Sequence, residues 1–136
     1  MMMADDTNAT WILIRFQHAL QALALPAVVQ VQLFPDFVCK ADELALNFDH
    51  WSSCMLAWYR DTLTPAQRDP IDAIDHHLAR MSGTHNAALW TDEALHEAPE
   101  WNEVRQLARH ALAAFGWEET TPPSYEHEYV PGKKPL

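Results

Sequence analysis

One stripe of apolar residues constrains this chain more than any other feature. Phe37, Ala41, Leu44, Phe48, Trp51, Met55 and Trp58 follow one another in alternating steps of four and three. In an α-helix such steps return to one face, so the segment 37–60 predicts a long helix with one side committed to a core. A helix with one apolar side must be covered by others, and the architecture that supplies them is a bundle. Pro35 and Asp36 mark the start of this helix. Leu44, Leu46 and Phe48 alternate as a strand would, but the longer stripe outweighs so short a run.

Matching faces occur on both sides of it. Residues 10–25 predict a first helix with Leu13, Phe16, Leu20 and Leu23 on one side and Arg15, His18 and Gln21 on the wetter side. Asn8 or Thr10 would cap its start, and Pro26 would end it. Residues 64–82 carry two start signals, Thr64-Pro65-Ala66-Gln67 and Asp69-Pro70-Ile71-Asp72. A proline obstructs a helix begun one turn earlier, so the expected start is Pro70, with Ile71, Ile74, Leu78 and Met81 buried and Gly83 as the stop. Residues 85–98 predict a short helix or turn capped by Thr91. Pro99 opens a last helix to Phe115, with Trp101, Val104, Ala108, Ala111, Leu112 and Phe115 on one side and Gly116 as its end.

Two segments are less regular. In residues 27–34, Val29, Val31 and Leu33 alternate with Gln30 and Gln32, which is strand-like. A lone strand has nothing to pair with, so a short helix or an extended connector is expected. After Trp117 the chain turns acidic and Pro-punctuated, with no period. The fold expected is all-α: a single-domain bundle of about five helices over residues 1–117, then an irregular acidic tail, flexible or draped, over 118–136. Only three glycines in 136 residues agree with this, since all-β folds consume Gly in turns and bulges.

Charge bounds the function. Asp and Glu number 19 against 9 Lys and Arg, a formal charge of −10. Phosphates would be repelled, so neither nucleic acid nor an anionic membrane is an expected ligand, whereas a basic protein is. The apolar run from Trp11 to Phe34 is broken by Arg15, His18 and Pro26, so it should not span a bilayer. The residues from Met1 to Asp6 lack the basic region of a secretory signal, and Cys39 and Cys54 form no CxxC. Reduced thiols and a cytoplasmic location are the expectation.

Eight histidines raise a metal hypothesis. Glu43 and His50 share a helix face, and Asp72 and His76 are four apart on another helix. Bundle metal sites are built from such inward-facing groups on facing helices. Only Glu93 and His96 have the Glu-x-x-His spacing, where a carboxylate-bridged site wants two such pairs, so no metal or cofactor is expected. Cys54, among Trp51, Met55 and Trp58, reads as a buried, inert thiol. Cys39, near a helix start, is a candidate for a lowered thiol pKa. Gly-rich phosphate loops and nucleophile elbows are absent from the sequence, so an enzyme is not expected.

The remaining signal lies between Asp92 and Glu103, where five carboxylates occur with no Lys or Arg. Asp92, Glu93, Glu97, Glu100 and Glu103 would pair with basic groups or form a solvated helix start, and Trp101 or Trp90 would be the anchor, although the core is the favoured place for both tryptophans. The function expected is a bacterial-type, acidic, protein-binding module: an immunity protein or antitoxin that occludes a basic toxin or effector. A metal-binding bundle or enzyme using Glu43, His50, Asp72 and His76, and an accessory subunit of a larger assembly, are the alternatives.

Overall fold

The structure is a computed structural model that describes residues 2–125 and 128. Its elements are α1 (Met2–Ala24), α2 (Ala27–Gln30), a 3-10 turn (Val31–Leu33), α3 (Lys40–Trp58), α4 (Pro65–Met81), a 3-10 segment (Thr84–Leu89), α5 (Asp92–Glu97) and α6 (Pro99–Phe115). No strand occurs among the described residues, and the fold is an all-α bundle.

The central pair is α1 and α6. They pack on each other, α3 packs along the other side of α1, and α4 along the other side of α6. A helix with two neighbours needs a broad apolar face, and both central helices have one. Around Phe16, Leu20 and Leu23, α1 also buries Ala19 and Ala22; around Trp101 and Val104, α6 also buries Ala108 and Ala111. Alanine at those positions lets neighbouring helices approach closely. The outer helices bury single stripes: Ala41, Leu44, Phe48 and Met55 on α3, and Ile71, Ile74, Leu78 and Met81 on α4. Between themselves α3 and α4 touch only briefly.

Aromatic rings tie the central seam. The Phe16 ring lies 6.3 Å from Phe48, 5.7 Å from Phe115 and 6.1 Å from Trp117. Trp117 reaches this cluster because Gly116 turns left-handed, with φ of 71°, at the end of α6. That turn lets the Trp117 N–H donate back to the Leu112 carbonyl at 2.9 Å and stacks its ring on Phe115 at 4.4 Å.

Three expectations about boundaries are corrected. The first helix starts at Met2, so Asn8 and Thr10 lie inside it rather than at its start. The stripe of α3 leaves the core at both ends: Phe37 precedes the helix and is 61% exposed, and Trp58 is 46% exposed. Cys39, not Pro35 or Asp36, holds the N-cap position of α3. Third, α4 starts at Pro65 rather than Pro70, because the capping box forms. The Gln67 N–H donates to Thr64 Oγ1 at 3.2 Å, and the Thr64 N–H donates to Gln67 Oε1 at 3.0 Å. Pro70 then forfeits the bond to the carbonyl of Ala66, an exposed residue that water can reach, while its ring is buried. The segment 27–34 is helical throughout Ala27–Leu33, with Pro26 as N-cap of α2.

A buried polar network joins the connector to α6. Gln30 Nε2 donates to the carbonyls of Ala22 and Leu23, at 3.0 and 3.1 Å. Its Oε1 accepts from Arg105 Nη1 at 3.0 Å, and Arg105 Nη2 donates to the Leu95 carbonyl at 3.0 Å and to Asn102 Oδ1 at 2.6 Å. Burial, and then the charge of Arg109, push the Arg105 pKa below the usual guanidinium value. Hydrogen bonds to neutral oxygens therefore hold this cation in place of a carboxylate.

The segment 118–125 drapes over α1 and the first 3-10 turn. Gln21 Nε2 donates to the Glu118 carbonyl at 3.0 Å and to Thr120 Oγ1 at 3.1 Å. The Tyr125 N–H donates to the Leu33 carbonyl at 2.8 Å, and the Tyr125 ring stacks on Phe34 at 5.0 Å. Glu128 pairs with Arg15, whose guanidinium also lies 5.4 Å from the Trp51 ring and 5.7 Å from that of Tyr125. Residues 126, 127 and 129–136 of the expected tail lie outside the described residues.

Candidate functional site

The acidic segment folds as α5 and the first turns of α6. Thr91 caps α5, its Oγ1 accepting from the Ala94 N–H at 3.0 Å. Ala94 and Leu95 turn inward and fix the outward direction of the rest. Glu93 and Glu97 are then one turn apart on α5 and exposed. Glu103 is exposed one turn beyond Glu100, which is half-buried on α6. Pro99 opens α6 two residues after α5 ends, so the two acidic pairs follow one another across a short corner. Asp92 is engaged elsewhere: its Oδ2 is 3.4 Å from Lys40 Nζ, tying α5 to the start of α3.

Trp101 does not belong to this surface. It is fully buried, and its Nε1–H donates to the Leu89 carbonyl at 2.7 Å. The expectation that it anchors a partner is therefore corrected: its position in the first turn of α6 falls on the inner stripe with Val104 and Ala108. Trp90 is placed differently. Its ring meets Trp101 edge-on at 5.3 Å and its Nε1–H donates to the Met81 carbonyl at 2.8 Å, yet it stays half-buried. It lines a cleft of about 520 Å³ between α3 and α4.

That cleft is the feature sequence reasoning missed. Phe48 and Leu78 contribute to its walls, and Asp42, Asp49 and Asp75 line it as well. Asp42 and Asp49 are seven apart, one face of α3, and that spacing was the available signal. What the sequence withholds is that α4 stands opposite and does not close over them.

The histidines and carboxylates of the metal hypothesis are scattered. Glu43 is half-buried on α3, His50 is exposed on that helix, and Asp72 and His76 are exposed on α4. No three His, Cys, Asp or Glu come together as a metal-holding group among the described residues. Cys54 is half-buried rather than enclosed, with its Sγ 4.0 Å from His50 Nε2. Cys39 shifts opposite to expectation. Burial pushes its thiol pKa up; a backbone hydrogen bond from Asp42 lowers it and the Asp42 charge raises it again. Its Sγ–H donates to the Trp90 carbonyl at 3.4 Å, which holds the protonated form. No helix among the described residues is long and apolar enough to cross a membrane. Comparisons with protein-family models, with curated proteins and with solved structures find no match.

Proposed function

We propose that this chain is an acidic protein-binding module that occludes a basic protein, in the manner of an immunity protein or antitoxin acting in the cytoplasm. The observation that carries this reading is the α5–α6 edge. Glu93, Glu97, Glu100 and Glu103 follow one another along these two helices, while the ion pairs of the described residues engage Asp92, Glu119 and Glu128. Carboxylates left to water serve two purposes: they steer a cationic partner from a distance and receive its Arg or Lys groups on contact. With a formal charge of −10, the same field turns away nucleic acid. The immunity-type class is an analogy with small acidic inhibitors, and the fold itself does not supply it.

The test is kinetic. A basic protein captured from the native host should associate more slowly as salt rises, because exposed charges steer over about 10 Å at 0.1 M ionic strength. Glu97→Lys with Glu100→Lys should lower the on-rate more than it raises the off-rate. If charge reversal along this edge leaves association with the captured partner unchanged, the edge is a solvated face and the reading fails.

A further inference from the structure

We propose that the open seam between α3 and α4 is the pocket in which the basic partner seats an arginine side chain. This rests on the reading above and gives it an anchor point that the buried Trp101 cannot provide.

The seam is built symmetrically. α3 offers Asp42, Ala45, Leu46 and Asp49, spaced three, four and seven from the first. α4 offers Asp75, Leu78, Ala79 and Ser82 at the same spacing. Each wall is thus apolar in its middle, with aspartate at both ends on α3 and, on α4, Asp75 at one end and the C-cap Ser82 at the other. The buried Phe48 and the half-buried Trp90 complete the lining. The space between the walls is about 520 Å³, room enough for one side chain of a partner.

The charges choose the occupant. Asp42, Asp49 and Asp75 are the charged residues lining the seam, and all are acids. An anion is repelled by all three. A neutral apolar group would strip water from carboxylates and return nothing. A cation on an aliphatic stem satisfies both parts: the stem lies on Leu46, Leu78 and Ala79, and the head meets the carboxylates. A guanidinium suits this better than an ammonium, because its flat fork can bridge acceptors on two walls, stacks on an indole and sheds water more easily. Like charges on facing walls also oppose closure of the empty seam. Trp90 runs directly into Thr91 and Asp92, so the pocket adjoins the acidic edge and one partner surface can use both.

Propylguanidinium, an arginine side chain without its backbone, tests this on the full chain without any partner. Titrated into nitrogen-15-labelled protein, it should shift amides of 42–49 and 75–83 and the Trp90 indole, and leave 97–103 still. Asp49→Asn with Asp75→Asn should weaken that binding roughly tenfold, about 1.4 kcal/mol. Glu97→Gln with Glu100→Gln removes the same two charges and should leave it unchanged. Leu46→Ala, a truncation on the exposed wall, should weaken it without altering the spectrum elsewhere. Equal weakening in both double variants, shifts concentrated on the α5–α6 edge, or none up to the solubility of the probe would each overturn the pocket. Butylammonium binding as tightly would overturn its assignment to arginine. Failure here leaves the acidic edge standing, because that reading is decided by the on-rate of the protein partner.

Discussion

Along α1 the helices interlock through rings: Phe16 meets Phe48 on one neighbour and Phe115 on the other. Between α3 and α4 the facing residues are carboxylates, alanines and the exposed Leu46, and a cleft remains. The two seams belong to the same bundle and share α3, whose inner stripe is continuous from Ala41 to Met55. The difference is what stands beside that stripe. At the α1 seam aromatic rings reach across from both neighbours; at the α3–α4 seam Asp42, Asp49 and Asp75 stand among small and aliphatic residues instead. An apolar stripe therefore attaches a helix to the core, but its flanks decide whether two helices close on each other.

The largest effects should fall on the closed side. Trp101→Ala empties a fully buried site and orphans the Leu89 carbonyl, at a cost of about 3–5 kcal/mol. Denaturant unfolding followed by far-ultraviolet circular dichroism measures it. A cost below about 1 kcal/mol would mean that the core is looser than the ring contacts indicate. Next is Arg105→Met, which keeps the stem but leaves Gln30 Oε1 and the Leu95 carbonyl without their donor. The expected loss is about 2–3 kcal/mol, by the same measurement, because these bonds come from a buried cation. A neutral or stabilising result would show that the apolar stem carries the site and the guanidinium does not.

The two sides were unequally visible in the sequence. The Thr91 cap, Pro99, Gly116 and the central part of each stripe are local patterns, and each appears where its spacing places it; only the ends of the α3 stripe, Phe37 and Trp58, leave the core. Pro70 misled because a rule about helix interiors was applied to the second turn, where a capping box holds the start and only one bond is lost. Arg105 gave no sign of burial, because its partner Gln30 is 75 positions away and no window along the chain connects them. The cleft was hidden for the same reason. Asp42 and Asp49 look like a solvated face until α4 is known to stand opposite. Trp90 and Trp101 show the limit most sharply: both border the same acidic run, and one is core while the other lines a pocket.

The draped segment belongs energetically to the closed side, and pH separates it from the rest. Burial pushes the Tyr125 pKa up to about 12 from 10, with Arg15 lowering it and Glu128 raising it. The folded value is the raised one, so the buried phenol contributes stability that is complete below pH 10 and lost as pH rises to about 12. Tyrosinate absorbance should therefore show one phenol ionising near pH 12 together with release of the 118–125 segment. Tyr125→Phe cannot ionise and should keep the segment seated through that range. An ordinary titration of every tyrosine near pH 10 would mean that the stack on Phe34 opens to water.

The smallest effects should fall on the open seam, and they are the sharpest check of the comparison because a neighbouring residue supplies the control. Leu44 and Leu46 are two apart on α3; the first is 1% exposed and the second 59%. Leu44→Ala should behave as a core truncation, costing about 2–5 kcal/mol, whereas Leu46→Ala should stay within about 0.5 kcal/mol. Asp49→Asn with Asp75→Asn should be neutral or slightly stabilising, since it removes like charges that face each other across the cleft. Thermal melts at low and high salt distinguish the causes. A stabilisation that disappears at high salt is relief of exposed repulsion, as an unfilled seam requires. If instead Leu46→Ala costs as much as Leu44→Ala, then α3 and α4 close over it in solution, the cleft is filled by the protein's own side chains, and the contrast between the seams is lost.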